Sequence, residues 1–400
     1  MRTPLVLLAL SSVLVLAPAA CGSSSSNTGG QTGDDGGSGS GGSSGGSGGS
    51  SGGSGSSSGA SSSSGGSGGS SGTGSSSGSS GSGSSSGTGS SSGTGSSSGS
   101  GSSSGGMGSN HIKHIFLILM ENNNWSSIKG SSSAPYINGL LTNAQASWCT
   151  NYYDNPDANH PSEPNYIWLE AATDTFTDDN DTWSCDCDPS KSNSTASTQH
   201  LATLLSMNGK TWHEYAEGVT AGTCPVSSSG FYAAKHVPFV FFQDISGNPP
   251  SSTSQTCIAN VFPYTQLATD LGSGNVADYN FITPNLCDDM HGALGCGANN
   301  IQNGDTWLST EVPKIMASNA YKDGGAIFIT WDESEGGENP IGMIVLSPLA
   351  KGNGYQSTIK YYHSSMVRTV QEVFLPGVPL LNDAANQPPL SDLFQAGMYP

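Results

Sequence analysis

Positive charge is scarce in this chain. Only 11 Lys and Arg stand against 30 Asp and Glu in 400 residues, a net charge of −19. Binding to nucleic acid rests first on Lys and Arg neutralising phosphates, so the composition argues against a nucleic-acid partner. Loose adsorption to anionic lipid is disfavoured for the same reason. Outside a Gly/Ser-rich tail there is no P-loop and no dinucleotide-binding glycine pattern. No G-x-S-x-G elbow lies near the candidate nucleophile described below, which counts against an α/β-hydrolase lipase or esterase. The part of the chain that can fold has no internal repeat.

What is present divides the chain in three. Residues 1–21, MRTPLVLLALSSVLVLAPAAC, carry an early Arg, an apolar stretch and small residues ending in Cys21. They read as an export signal, too short for a spanning helix. The segment is similar to a bacterial lipoprotein signal, in which Cys21 is lipidated and becomes the mature N-terminus; Pro18 stands where an aliphatic residue is usual, and simple cleavage is the alternative. Residues 22–109 are almost wholly Gly and Ser. With nothing to bury, they are expected to be a disordered linker with an r.m.s. span of about 50 Å. This organisation implies an exported protein, anchored to a bacterial membrane or surface through the lipid on Cys21, or else freely secreted. No other membrane attachment is expected. Residues 110–400 are expected to form one folded domain, and they carry nearly all of the charge excess.

Cysteine usage agrees with export. Cys149, Cys185, Cys187, Cys224, Cys257, Cys287 and Cys296 follow the signal. The expected pairs are Cys224–Cys257 and Cys287–Cys296, each closing a local excursion. Cys185 and Cys187 are too near for an easy mutual bond, and one of them is placed to reach Cys149. The odd count leaves a free thiol if Cys21 carries lipid. The Cys-Asp-Cys run is only a weak metal-loop signal, because no second Cys/His pair stands at suitable spacing.

Short apolar runs of strand length occupy 114–120, 238–245, 279–285, 325–331 and 342–348. Most are continuously apolar, as strands buried on both faces of a parallel sheet should be. Helix-like stretches at 197–217, 304–318 and 364–375 alternate with them. The pattern predicts an α/β fold with a mainly parallel central sheet flanked by helices. Acidic or amide residues follow directly on the first run (Glu121, Asn122) and the 325–331 run (Asp332, Glu333), and the 279–285 run leads to Asp289. Ligands of open α/β sheets sit at the carboxyl ends of strands, so these residues are candidates for a cation site there. Hard oxygen ligands suit Mg²⁺, Ca²⁺ or Mn²⁺ and also occur at zinc sites. Helix capping and loop solvation are the competing roles.

Among the histidines, His160, His291 and His363 lie in polar loops beside element ends, as candidate proton donors or metal ligands. His111 and His114 read as surface residues, and His200 and His213 as packed or solvated helix positions. His236, before an apolar run, is open either way. In HPSEPNY, Ser162 stands two residues after His160, between Pro161 and Pro164. Alone this segment is equally a capped loop and a nucleophile on a stiff turn.

Taken in order, IKHIFLILMENNNW, APYINGLL, HPSEPNYIWLEA, YNFITPNLCDDMHG, GDTWLSTEVPKIMAS, IFITWDESEGG, GMIVLSP and YHSSMVRTVQEVF resemble the phosphoesterase family of bacterial acid phosphatases and phosphatidylcholine-type phospholipases C. That family belongs to the alkaline-phosphatase-like superfamily, and the similarity runs from about residue 112 to 394. The resemblance implies an alkaline-phosphatase-like fold and a divalent-metal-dependent hydrolase of phosphate esters. It implies Ser162 as nucleophile in a Ser-x-Pro-Asn motif with Asn165. His160, His291 and His363 are implied catalytic residues, and Glu121, Asn122, Asp289, Asp332 and Glu333 metal-site residues. Where the family continues Glu-Asn with Arg or His, Ser and an aromatic residue, this chain has Asn123, Asn124 and Trp125. Against so acidic a background, a phosphate ester requires local metal ions or histidines to overcome the global field. The implied reaction is acid-phosphatase-like through a phosphoserine. The alternatives are a phospholipase C acting on lipid phosphodiesters and a non-catalytic surface module whose acidic loops bind Ca²⁺.

Overall fold

The structure is a computed structural model describing residues 111–157, 160–177 and 185–400. The signal at 1–21 with Cys21, and the linker at 22–109, lie outside the described residues. Among the described residues one eight-stranded sheet forms, with the order β4-β3-β5-β1-β6-β7-β2-β8. The strands are β1 (His114–Met120), β2 (Ala146–Cys149), β3 (Trp212–Ala216), β4 (Val261–Pro263), β5 (Tyr279–Thr283), β6 (Gly325–Trp331), β7 (Met343–Leu346) and β8 (Tyr355–Ser357). All neighbours run parallel except β7, which is antiparallel to both β6 and β2. The mainly parallel α/β sheet is the expected architecture. Its central strands β5, β6 and β7 are buried along their whole length, and β1 along all but His114, which explains their unbroken apolar runs.

Two element assignments change. Residues 238–245 are not a strand: Pro238–Phe241 is a 3-10 turn and Gln243–Ser246 a short helix. Phe239, Val240, Phe241 and Phe242 are all buried, so the run is apolar for reasons of burial and carries no strand period. The 197–217 stretch is not one helix. Leu201–Met207 is helical, the chain turns at Gly209 in the left-handed region (φ +71°), and Trp212–Ala216 continues as β3. Strands β2, β4 and β8, with four, three and three residues, are too short to show a period.

The helix Ser162–Ala171 is buried at every position. It packs against the helix His363–Phe374 and the Pro238–Phe241 turn. The long helix Asn300–Ala317 packs on Pro135–Leu140, where the Asp305 carboxylate accepts from the Tyr136 and Ile137 N–H groups at 3.0 and 2.8 Å. Those amides at a helix start have no partner within their own helix.

Cys224–Cys257 and Cys287–Cys296 are bonded as expected. The remaining expectation is corrected: Cys185 bonds Cys187, and Cys149 is free and buried. Cys149 ends β2 inside the sheet. Asp186 takes a left-handed conformation (φ +54°) that turns the chain back and brings the flanking Cα atoms to 5.2 Å, within bridging range.

Candidate active site

Register places the site. β1 and β6 pair in parallel with Met120 opposite Trp331, so Glu121 and Asp332 leave the sheet side by side. The Asp332 N–H donates to the Met120 carbonyl at 2.9 Å, prolonging the ladder by one bond. On the other side of β1, β5 leads through a tight turn to Asp289, whose carbonyl accepts from the Glu121 N–H at 2.7 Å. Neighbouring parallel strands thus bring carboxylates to one edge, as the sequence predicted.

His236 joins them from a segment the sequence left open. Its carbonyl accepts from the Thr283 hydroxyl at the end of β5 (3.1 Å), and its ring stacks on Tyr166 with centroids 4.9 Å apart. Held so, Nε2 lies 3.3 Å from Glu121 Oε1 and Nδ1 3.6 Å from Asp289 Oδ2. Glu121, His236 and Asp289 each present a ligand atom within 4.8 Å of the others, and all are buried.

Ser162 does not cap its helix. Pro161 is the N-cap and no side chain caps the helix, so the hydroxyl is not used as a cap. Instead it lies 3.1 Å from Glu121 Oε2 and 3.4 Å from Asn122 Oδ1, donating toward them. Tyr166, one helical turn on, donates its hydroxyl to Glu121 Oε1. Asn122 adopts a left-handed backbone (φ +29°) that lets its N–H reach Asp332 Oδ1 and its amide Glu333 Oε1, both at 2.9 Å. Glu333 Oε2 takes His160 Nδ1 at 2.6 Å and the Asn165 amide at 3.0 Å. Both Glu333 oxygens are therefore engaged, linking His160, Asn122 and Asn165.

Burial and mutual repulsion dominate the electrostatics. Burial, followed by the charge of Asp289, holds the Glu121 pKa well above the carboxylate range. Asp332 is raised by burial and then by Glu121 and Glu333, and Asp289 by burial, with Asp332 adding to it. His236 is pushed well below the usual imidazole range by burial, then by Lys235 and His291, and so is a neutral ligand type. His236 Nε2, Asp289 Oδ2 and Asp332 Oδ2 are buried with no hydrogen-bond partner. Buried polar atoms are normally satisfied, so converging like charges with unpaired donor atoms fit a divalent cation.

The other predicted residues fall as follows. His291 shares the loop of Asp289: its N–H donates to Asp289 Oδ1 at 2.7 Å, and Nδ1 lies 2.8 Å from the Gly292 carbonyl, leaving Nε2 available. His363 has partners at both ring nitrogens. Nε2 lies 2.6 Å from the Asp332 carbonyl and Nδ1 3.1 Å from the Tyr152 hydroxyl. Burial pushes its pKa down to about 4. In the divergent run, Asn123 donates to the Glu121 carbonyl at 2.8 Å, Asn124 reaches the Glu335 carbonyl at 3.2 Å, and Trp125 is buried against Trp331.

Sequence reasoning missed His236, Tyr166, Lys235 and the role of Glu163. Tyr166 had a usable signal, one helical turn from Ser162 on the same face. The Glu163 carboxylate accepts from the Cys187 N–H at 2.7 Å, and Asp186 Oδ1 accepts from the Glu163 N–H at 3.1 Å. The Cys185–Cys187 loop is thereby tied to the residue beside Ser162.

The model of the phosphoesterase family matches residues 144–377. The chain is 29% identical over 286 residues to the phosphatidylinositol-3-phosphatase of Mycobacterium tuberculosis, covering 70% of this chain and 82% of that protein. It is 25% identical over 236 residues to an acid phosphatase of Aspergillus fumigatus, covering 55% of this chain and 46% of that protein. A solved protein of the alkaline phosphatase superfamily from Vibrio parahaemolyticus overlays with a TM-score of 0.42 at 12% identity, over 66% of this chain and 67% of that one.

Proposed function

The chain belongs to the phosphoesterase family and is a phosphoric ester hydrolase, and from that premise we propose that it is a metal-dependent phosphomonoesterase with Ser162 as nucleophile. The observation that carries this reading is the Ser162 hydroxyl at 3.1 Å from Glu121 Oε2, beside the buried Glu121–His236–Asp289 cluster. That hydroxyl sits at the start of a fully buried helix, where packing holds it in place.

Glu121, His236 and Asp289 would hold the cation, with Asp332 Oδ2 as a further donor. A divalent cation there supplies charge neutralisation for the phosphate oxygens and favours ionisation of the serine. Ser162 Oγ attacks phosphorus and its proton passes to Glu121. The P–O bond to the leaving alcohol breaks, and that oxygen takes a proton from His160. Hydrogen bonding to Glu333 raises the His160 pKa, and its side chain is 36% exposed, so the proton can be replenished from solvent. Water then attacks the phosphoserine, releasing phosphate and restoring the serine hydroxyl, with Glu121 returning the proton. Residues 110–400 would be the catalytic domain, with residues 22–109 as spacer and a lipid on Cys21 as anchor. The disulfides support an exported, oxidising location.

The relatives' names support monoester over phosphodiester hydrolysis. The test compares an aryl phosphate monoester, a phosphoinositide monophosphate and phosphatidylcholine as substrates of the full chain, before and after chelation. Monoester hydrolysis that chelator abolishes and a divalent cation restores is the expected result. Release of phosphocholine from phosphatidylcholine without monoester turnover would replace this reading with the phospholipase C one.

A further inference from the structure

The site as described has a surplus of negative charge, yet its substrate is an anion. Lys113, Lys210, Lys314, Lys351 and Arg368 are paired with carboxylates elsewhere. Lys235 is placed differently. It precedes His236 in the chain, its side chain is 17% exposed, and its ammonium pairs with Asp186. The other oxygen of Asp186 accepts from the Glu163 N–H, next to Ser162. A single carboxylate therefore separates the ammonium from the backbone of the nucleophile's first helical turn.

We propose that Lys235 contacts a non-bridging phosphate oxygen of the bound ester, and that Asp186, held in the Cys185–Cys187 loop, parks the ammonium at that position. The inference rests on the phosphatase reading and adds a phosphate-binding residue to it. A lysine suits the role because it meets phosphate as a compact point charge with rotatable donors. Asp186 is suited to hold it because the carboxylate is itself fixed by the Glu163 N–H, while Glu163 fixes the Cys187 N–H in return. The net charge of −19 makes such a local cation more valuable, since the wider field repels the substrate.

The test uses the full chain with saturating divalent cation and reads KM and kcat for an aryl phosphate, and Ki for inorganic phosphate. Lys235→Met is expected to raise KM and weaken phosphate inhibition by about 10- to 100-fold. Lys235→Arg is expected to recover most of that loss, and Asp186→Asn, which releases the ammonium from its position, to weaken phosphate inhibition by a smaller factor than Lys235→Met. Calorimetric titration should find that Lys235→Met binds the metal alone no more weakly than the parent. An unchanged phosphate Ki in Lys235→Met overturns the assignment. So does a Lys235→Arg variant that recovers none of the loss, which would mark the pair as purely structural. A parent enzyme inert toward the aryl phosphate would instead overturn the phosphatase reading itself.

Discussion

Ser162 and His236 carry the sharpest tests at the scale of single residues. Ser162→Ala removes the attacking oxygen while leaving Tyr166 on Glu121, so turnover of an aryl phosphate should fall at least about a thousandfold. The lost hydrogen bond should cost only about 1 kcal/mol of stability, leaving a cooperative thermal transition within a few degrees of the parent. Turnover near the parent level in the folded variant would remove Ser162 from the chemistry. His236→Ala deletes one donor of the buried cluster, so metal retained after equilibrium dialysis should drop below that of the parent. His363→Gln is the informative contrast. Its ring touches the Asp332 carbonyl and Tyr152, so the expected effect is a disturbed Asp332 with weakened metal binding and no loss of a proton donor from the pH profile. If instead one limb of the profile vanished, His363 would be a proton donor after all.

At the scale of elements, the Ser162–Ala171 helix is anchored at both ends by carboxylates, Glu163 and Glu170. Near its C-terminal end Glu170 accepts from the Ala202 N–H at 2.5 Å and lies 3.2 Å from His200, whose other nitrogen lies 3.2 Å from Asp244. Burial pulls the His200 pKa down, but hydrogen bonds to Asp244 and Glu170 outweigh it and leave it raised. A histidine raised by folding stabilises fully below its unfolded pKa of about 6.5 and loses that contribution as pH rises through its folded value. The stability advantage of the parent over His200→Gln, read from denaturant midpoints, should therefore be largest near pH 6 and shrink above it, starting from about 3–5 kcal/mol. A gap that widened with rising pH would contradict the charged state assigned to His200. The Cys224–Cys257 link closes a loop with a sequence separation of 33. Chain-entropy bookkeeping gives it about 3–4 kcal/mol, so Cys224→Ser/Cys257→Ser should unfold at a distinctly lower denaturant concentration with unaltered KM.

For the whole molecule, charge bears on how substrate is met. The net charge of −19 repels an anionic ester at a distance, and salt screens that repulsion. Raising ionic strength from about 10 mM to about 150 mM with a non-chelating salt should increase kcat/KM for a soluble monoester severalfold, with kcat little changed. A decrease would mean that the site's own field attracts the substrate from bulk. A chain starting at residue 110 is expected to keep kcat/KM for a soluble ester within about twofold, because the Gly/Ser linker has no apolar surface to contribute.

Much of this protein was legible in its sequence because parallel sheets leave a local signature. Buried central strands demand continuous apolar runs, and the residue after each run must lie at the sheet's carboxyl edge, so β1, β5, β6, Glu121 and Asp332 were all in view. Ser162 was visible as a candidate but not as a decision, since a cap and a nucleophile have the same local chemistry. Tertiary structure leaves the cap position to Pro161 and turns the hydroxyl toward Glu121, which favours the second reading. His236 had no local signal at all: its place depends on a hydrogen bond from Thr283 and a stack on Tyr166, each distant in sequence. The Cys185–Cys187 bond likewise depends on a left-handed turn at Asp186 that composition does not announce. Periodicity and strand-end position are properties of one segment. Ligand convergence, the pairing of Lys235 and the partners of His363 arise only when several segments compete for the same few ångströms of space.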